Sequence, residues 1–383
     1  MVKEGEKLKI EYPEDFLHRL DLCWNCGVCL SFCYRKERSF QLKGKLMREE
    51  KGVECGDCVI CLEICPRVYP DSAPHEERFF GQRAQDPELG FFLSAFSVRA
   101  KEKRGKVQDG GVTTALVRFA LKIGWADAAF LVKGNEDWEA TSYIATRPEE
   151  VEASAGSKYS CYPAAHSLTQ AAERFNNIIY VGLPCQIGAM RRMMTREKYK
   201  DVYSKIKLMI GLVCCACFEH DALKGFVETD LGIPLNKVEK FDITKGKLRV
   251  IGDGKDEWRP LKDLHHIYWP SCFGCIDSTA LLADMAIGAI GSLPGESTVL
   301  IRTPIAEELF DKAASSGLFD VALPVRDIKR LKRFAEIKVE KVKALEHKTM
   351  MALTKKGVRR NLSTIDTIPS IFEEELKGDD EAE

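Results

Sequence analysis

No stretch of 18 consecutive apolar residues occurs in this sequence, so no segment is expected to cross a membrane as a helix. Net charge is nearly absent. The 57 Lys and Arg are balanced by 58 Asp and Glu, which removes the electrostatic reason to expect nucleic acid or a lipid surface as partner. Histidine is scarce, with seven in 383 residues; they form no metal-binding spacing, and His265-His266 is expected to be structural. No charged-then-apolar leader opens the sequence, so neither an oxidising compartment nor a disulfide framework is expected. A cytoplasmic protein is, with any place at the inner membrane face coming through a partner. The apolar fraction of 45% is ordinary for a chain that buries a core, and the length suits two or three domains.

Cysteine, by contrast, is abundant, at fifteen. Cys23, Cys26, Cys29 and Cys33 form a C-x2-C-x2-C-x3-C run. Cys55, Cys58, Cys61 and Cys65 repeat it, with Pro66 behind. This is the bacterial ferredoxin spacing for two [4Fe–4S] clusters, in which the fourth cysteine of each run ligates the other cluster. Cys23, Cys26, Cys29 and Cys65 are expected to hold one cube, and Cys55, Cys58, Cys61 and Cys33 the second. Soft thiolates suit iron in these clusters. Structural zinc sites more often pair two separated knuckles. Two departures stand out: Tyr34 occupies the place of the usual proline, and residues 34–54 make a longer, basic spacer.

Beyond this module, expected over 1–75, Pro70 to Pro74 reads as a linker and 76–106 as a charged connection. From 107 the texture becomes α/β. Helical periodicity runs from Gly110 to Ile123, and helices are expected over 164–175 and 186–194. Short apolar runs at Ala128–Val132, Ile178–Gly182 and Ile206–Val213 read as strands, with two more in 283–303. Alternation of this kind predicts an α/β core over 107–324 with a mainly parallel or mixed sheet. A small α+β ferredoxin-like domain precedes it, and a basic helical extension over 325–383 follows, ending in an acidic tail.

The other seven cysteines are Cys161, Cys185, Cys214, Cys215, Cys217, Cys272 and Cys275. Cys185 and Cys214 each follow an expected strand, where ligands collect in open α/β sheets. With Cys272-x2-Cys275 they supply four thiolates for a third cluster, although spacing leaves Cys214, Cys215 and Cys217 as alternatives for one ligand. A buried or redox-active role for these thiols is the competing reading.

Several ordered segments carry a resemblance: Gln108-Asp109-Gly110-Gly111, Gly156-Ser157-Lys158-Tyr159 with Pro163, Gly182-Leu183-Pro184-Cys185-Gln186, Gly211 to Cys214 with Phe218, Cys272-Phe273-Gly274-Cys275-Ile276-Asp277, Ala283-Asp284 with Gly288, Gly295-x-Ser297-Thr298, and Arg302-Thr303. Together they resemble the family made up of the β-subunits of coenzyme F420-reducing hydrogenases and F420-dependent dehydrogenases. The fused cysteine module resembles that of the electron-input subunit of F420H2 dehydrogenase complexes. The resemblance implies Cys185, Cys214, Cys272 and Cys275 as ligands of a proximal [4Fe–4S] cluster. It also implies FAD as a cofactor, coenzyme F420 as substrate, and a redox partner: a quinone- or methanophenazine-linked membrane complex, a heterodisulfide reductase, or a formate dehydrogenase or hydrogenase α-type subunit. Gln108, Asp109, Gly110, Gly111, Lys158, Tyr159, Gln186 and Asp277 are the expected cofactor contacts, with no general acid or base assigned.

F420 carries hydride, whereas clusters carry single electrons, so a flavin is expected between them. The basic stretch Arg99 to Lys106 is either solvated charge or an attraction for the anionic tail of F420. Two alternatives remain from the sequence: an electron-transfer subunit without a catalytic flavin, and a relative acting on another substrate.

Overall fold

The computed structural model describes residues 23–32, 38–40, 46–48, 60–68, 72–84 and 86–355. Cys33, Cys55 and Cys58 lie outside them. Thirteen strands are described: β1 Arg38–Phe40, β2 Leu46–Arg48, β3 Ser94–Ala100, β4 Ala128–Gly134, β5 Ala140–Ala145, β6 Ile178–Gly182, β7 Ile206–Leu212, β8 Val238–Thr244, β9 Lys247–Gly252, β10 Lys255–Pro260, β11 Met285–Gly288, β12 Ser297–Ile301 and β13 Phe319–Pro324. Eight of them form one mixed sheet in the order β13-β3-β12-β11-β7-β6-β4-β5. Its centre is parallel, with β4 beside β6, β6 beside β7 and β7 beside β11. Its flanks are antiparallel.

The parallel centre follows from composition. β6 reads Ile-Ile-Tyr-Val-Gly and is buried throughout, as expected of a strand covered on both faces. One face packs on the helices Leu168–Arg174 and Pro184–Met194. The other packs on Val112–Lys122 and Pro304–Ser315, giving three layers. β8, β9 and β10 form a separate antiparallel sheet with its own small core around Phe218, Phe226 and Phe241.

Three sequence expectations need correction. Residues 76–106 are not a connection: β3 lies inside the main sheet between β12 and β13. Its Ser-Ala-Phe-Ser-Val-Arg-Ala alternation is short and followed by charge, which hides it. The stretch read as a linker runs into a helix, Ala73–Phe80. The described part of the cysteine module is not a separate body either. Val28 and Ile64 are fully buried in the same core cluster as β6 and its helices.

Glycine and buried charge fix the centre of the sheet. A Cβ on Gly211 would lie 2.2 Å from the Cβ of Ala280, so only glycine lets the segment before β11 cross the end of β7. Asp284 sits behind this crossing. Its carboxylate accepts from Arg191 at 2.7 Å and from the Met209 N–H at 2.8 Å, both buried, and from the half-buried Thr303 at 3.1 Å. This accounts structurally for the Ala283-Asp284 and Arg302-Thr303 motifs. Among the described residues no helix is long and apolar enough to cross a membrane.

Removing one partner from such a buried pair strands the other. Asp284→Ala is expected to cost about 3–5 kcal/mol in urea denaturation, and the paired change Arg191→Met with Asp284→Leu to recover most of it. Equal losses in the single and paired variants would show that the ion pair does not organise this core.

Candidate functional site

β6 and β7 are parallel neighbours, so their carboxyl ends lie side by side. Pro184 stands at the first helical position after β6, where its missing N–H costs nothing. Gln186 completes the cap, accepting from the Leu183 N–H at 2.8 Å and from the Tyr180 hydroxyl at 3.0 Å. Cys185 is thereby fixed at the start of the helix. After β7, the Cys214 N–H donates to the Ser278 carbonyl at 2.9 Å, tying Cys214 to the segment that follows Cys272 and Cys275.

Cys161, Cys185, Cys214, Cys217, Cys272 and Cys275 line one cavity of about 440 Å³, including its solvent-open mouth. Trp24, Asn25 and Lys338 share its wall. Cys215 does not; its thiol lies near Tyr159 and Tyr268. Burial pushes the Cys185 thiol well up, with the charges of Cys26, Cys275, Cys214 and Cys272 adding to the effect. Burial also raises Cys275 to about 11. Cys217 hydrogen-bonds toward Cys161, Cys214 and Cys272 and holds its proton. Its donation is the main reason that Cys214 is lowered and that Cys272 falls to about 7. The described cysteines are unbridged.

The N-terminal segment forms part of this cavity's wall. Trp24 Nε1 donates to the Ser271 carbonyl at 2.7 Å, and Trp269 Nε1 donates back to the Cys23 carbonyl at 2.7 Å. Ser271 Oγ adds a bond to the same Cys23 carbonyl at 2.6 Å. Cys26 and Cys65 both raise the Cys23 thiol, Cys65 raises that of Cys26, and all three act on Cys29. Cys61 also acts on Cys29. The expected first set is therefore brought together, while most of the second lies outside the described residues.

No three His, Cys, Asp or Glu side chains among the described residues are arranged around a single metal ion. A cubane is different: each thiolate binds its own iron, so the ligands surround a void. The cavity fits that requirement. In its wall Asn25 Nδ2 is a buried donor with no partner among the described residues. Buried amides of this kind are rare without an acceptor, and cluster sulfur is one.

The expected flavin contacts fare differently. Gln108 Nε2 donates to Phe241 O and Asp242 Oδ1, at 3.2 and 2.9 Å. Lys158 Nζ donates to three carbonyls, of Ser154, Ala155 and Gly156, at 2.6 to 3.0 Å. Asp277 caps the turn to Thr279 and Leu281, and burial raises its carboxyl. A Cβ on Gly110 would lie 2.7 Å from Val98 O and Ser297 N, so this glycine serves strand packing; Gly111 is left-handed at φ 71°. Such commitments do not fit a donor set held ready for a pyrophosphate. Asp109 is raised by burial and then by Asp242, while the Tyr159 hydroxyl hydrogen-bonds with Ser157. An aromatic row runs from Trp138 through Phe241, Tyr159, Phe218 and Tyr268 to Phe273, in the Cys272 turn.

Sequence models for the coenzyme F420 hydrogenase/dehydrogenase beta subunit match here in two parts, the N-terminal part at 95–169 and the C terminus at 175–327. The chain belongs to this family. It is 32% identical over 302 residues to a subunit of the F(420)H(2) dehydrogenase of Methanosarcina mazei, covering 76% of this chain and 82% of that one. It is 33% identical over 287 residues to the coenzyme F420 hydrogenase subunit beta of Methanosarcina barkeri, covering 72% and 98%. A chain of the F420-reducing [NiFe] hydrogenase complex from M. barkeri superimposes with a TM-score of 0.66 at 31% identity, covering 70% and 96%.

Sequence reasoning missed Asn25 and Lys338. Neither carries a spacing signal, because each acts from an element distant in the chain. The cavity's electrostatics give one direct expectation. In iron-free protein, alkylation of Cys272 should rise with pH about a midpoint near 7, while Cys275 stays unreactive until near 11, as read by peptide mass spectrometry. Matching profiles for the two thiols would contradict the arrangement.

Proposed function

We propose that this chain is the F420-reacting, iron–sulfur subunit of a redox complex. It exchanges electrons between coenzyme F420 and a partner subunit through [4Fe–4S] clusters. The observation that carries this reading is the cavity itself. Cys185, Cys214, Cys272 and Cys275 reach it from three separate segments, and Cys26 of the N-terminal module acts on Cys185 across it.

In this reading Cys185, Cys214, Cys272 and Cys275 hold the third cluster. Cys217 keeps its proton, with Cys214 and Cys272 as alternative acceptors of its one S–H, and the Asn25 amide would be available to cluster sulfur. Cys23, Cys26, Cys29 and Cys65 hold the neighbouring cluster. Cys33, Cys55, Cys58 and Cys61 hold the outer one, in a ferredoxin-type module within residues 1–75. The two reciprocal indole bonds tie the segments that carry the first two sites to each other. The partner docks on the side of the outer cluster, and direction of flow is set by hydrogen bonding and burial around each cluster.

Hydride arrives as two electrons and leaves one at a time, so a cofactor able to do both is required. FAD, implied by the resemblance, supplies that conversion when bound. Of the residues expected to meet it, Asp109 lies near Lys240 and Lys103, and Tyr159 near Cys215. The internal commitments of Gln108 and Lys158 favour a second reading, an electron-transfer subunit without its own flavin. Flavin analysis of protein purified without oxygen separates the two.

The test is an anaerobic titration of cofactor-reconstituted protein with reduced F420. Flavin and iron–sulfur absorbance should bleach in turn. Cys185→Ser should abolish the third cluster's signal and internal electron flow while keeping the N-terminal clusters. A flavin that stays oxidised while dithionite still reduces the clusters would sink the F420 assignment.

A further inference from the structure

Lys338 lies on the helix Ile328–Lys355, beyond the 175–327 matched by the family's C-terminal model. Its stem is half-buried, but its ammonium reaches the cavity wall. There it donates to the carbonyl of Asp277 at 2.8 Å and to that of Cys214 at 3.3 Å. An ammonium has three N–H donors, so these two carbonyls leave one for the cavity. The groups facing it are Cys214, Cys272, Cys275 and Asp277. The Asp277 carboxylate is turned to the Thr279 and Leu281 N–H groups. Among the described residues Lys338 forms no ion pair with a carboxylate, in contrast with Lys332 on the same helix, which pairs with Asp86 at 2.6 Å.

An ammonium in this position is disfavoured by burial unless negative charge faces it. Four thiolates around an iron–sulfur cube would supply that charge, and the ligated cluster as a whole would carry one negative unit more when reduced. A fixed cation therefore favours the reduced state more than the oxidised one, and the low-dielectric wall strengthens the effect.

We propose that Lys338 is a positioning residue that raises the reduction potential of the cluster held by Cys185, Cys214, Cys272 and Cys275. The proposal rests on the reading of these thiols as cluster ligands. The step it governs is a single electron entering that cluster and passing on to the one beside Cys26, with no bond made or broken. It also gives the C-terminal helix a part in the electron path: the helix carries the charge that makes the inner cluster an acceptor.

The experiment is an EPR-monitored redox titration of full-length reconstituted protein as wild type, Lys338→Met and Lys338→Arg. The N-terminal clusters serve as internal standards. Lys338→Met should make reduction of the third cluster about tenfold less favourable, a negative shift of about 59 mV for one electron. Iron content and the N-terminal midpoints should stay unchanged, and Lys338→Arg should restore most of the wild-type value. Identical midpoints in all three proteins would overturn the proposal. So would loss of the third cluster's iron in both variants, which would make Lys338 a structural clamp. A wild type with no third cluster would instead remove the reading on which the proposal stands.

Discussion

Two indole hydrogen bonds running in opposite directions hold this molecule's function together. Trp24 reaches the Ser271 carbonyl and Trp269 reaches the Cys23 carbonyl. The first is buried and the second half-buried, and each has one end in the N-terminal cysteine segment and the other in the Cys272 turn. A buried indole N–H without a partner is costly, so the two segments are fixed to each other wherever these tryptophans are buried. Ser271 adds a third bond to the same carbonyl. The consequence is that a module that reads in sequence as an appendage is part of the wall of the core's own cavity.

The sheet provides the other half of the constraint. Parallel neighbours β6 and β7 end together, and the loops that leave them carry Cys185 and Cys214. Gly211 admits the incoming Ala280 segment, and Asp284 with Arg191 anchors it from behind. Four thiols from three segments are thus assembled by elements whose own stability comes from apolar burial and one buried ion pair. The site inherits its rigidity from that scaffold.

Much of this was legible in the sequence. β6 and β7 are short, mostly apolar runs with a glycine at or near the carboxyl end, and both appear where the apolar pattern places them. The doubled cysteine spacing pointed to Cys65 as the partner of Cys23, Cys26 and Cys29, and its thiol lies near enough to act on all three. Other features had no local signature. β3 is too short and too close to charge to stand out, and β8 to β10 alternate charged residues that resemble a solvated loop. Lys338 is one lysine among many on a basic helix, distinguished only by what lies opposite. Lys158 misled in the reverse sense: its motif suggested a ligand contact, while its ammonium is consumed by three carbonyls of the preceding turn.

The central claim is that a cluster in the cavity lies directly beside the one held by Cys23, Cys26, Cys29 and Cys65. Pulsed EPR on the fully reduced protein measures this through the magnetic coupling between clusters. The account predicts three reduced clusters per chain, with the third coupled to one N-terminal cluster, and that coupling lost in Cys272→Ser. Three uncoupled signals, or two clusters in the wild type, would contradict it.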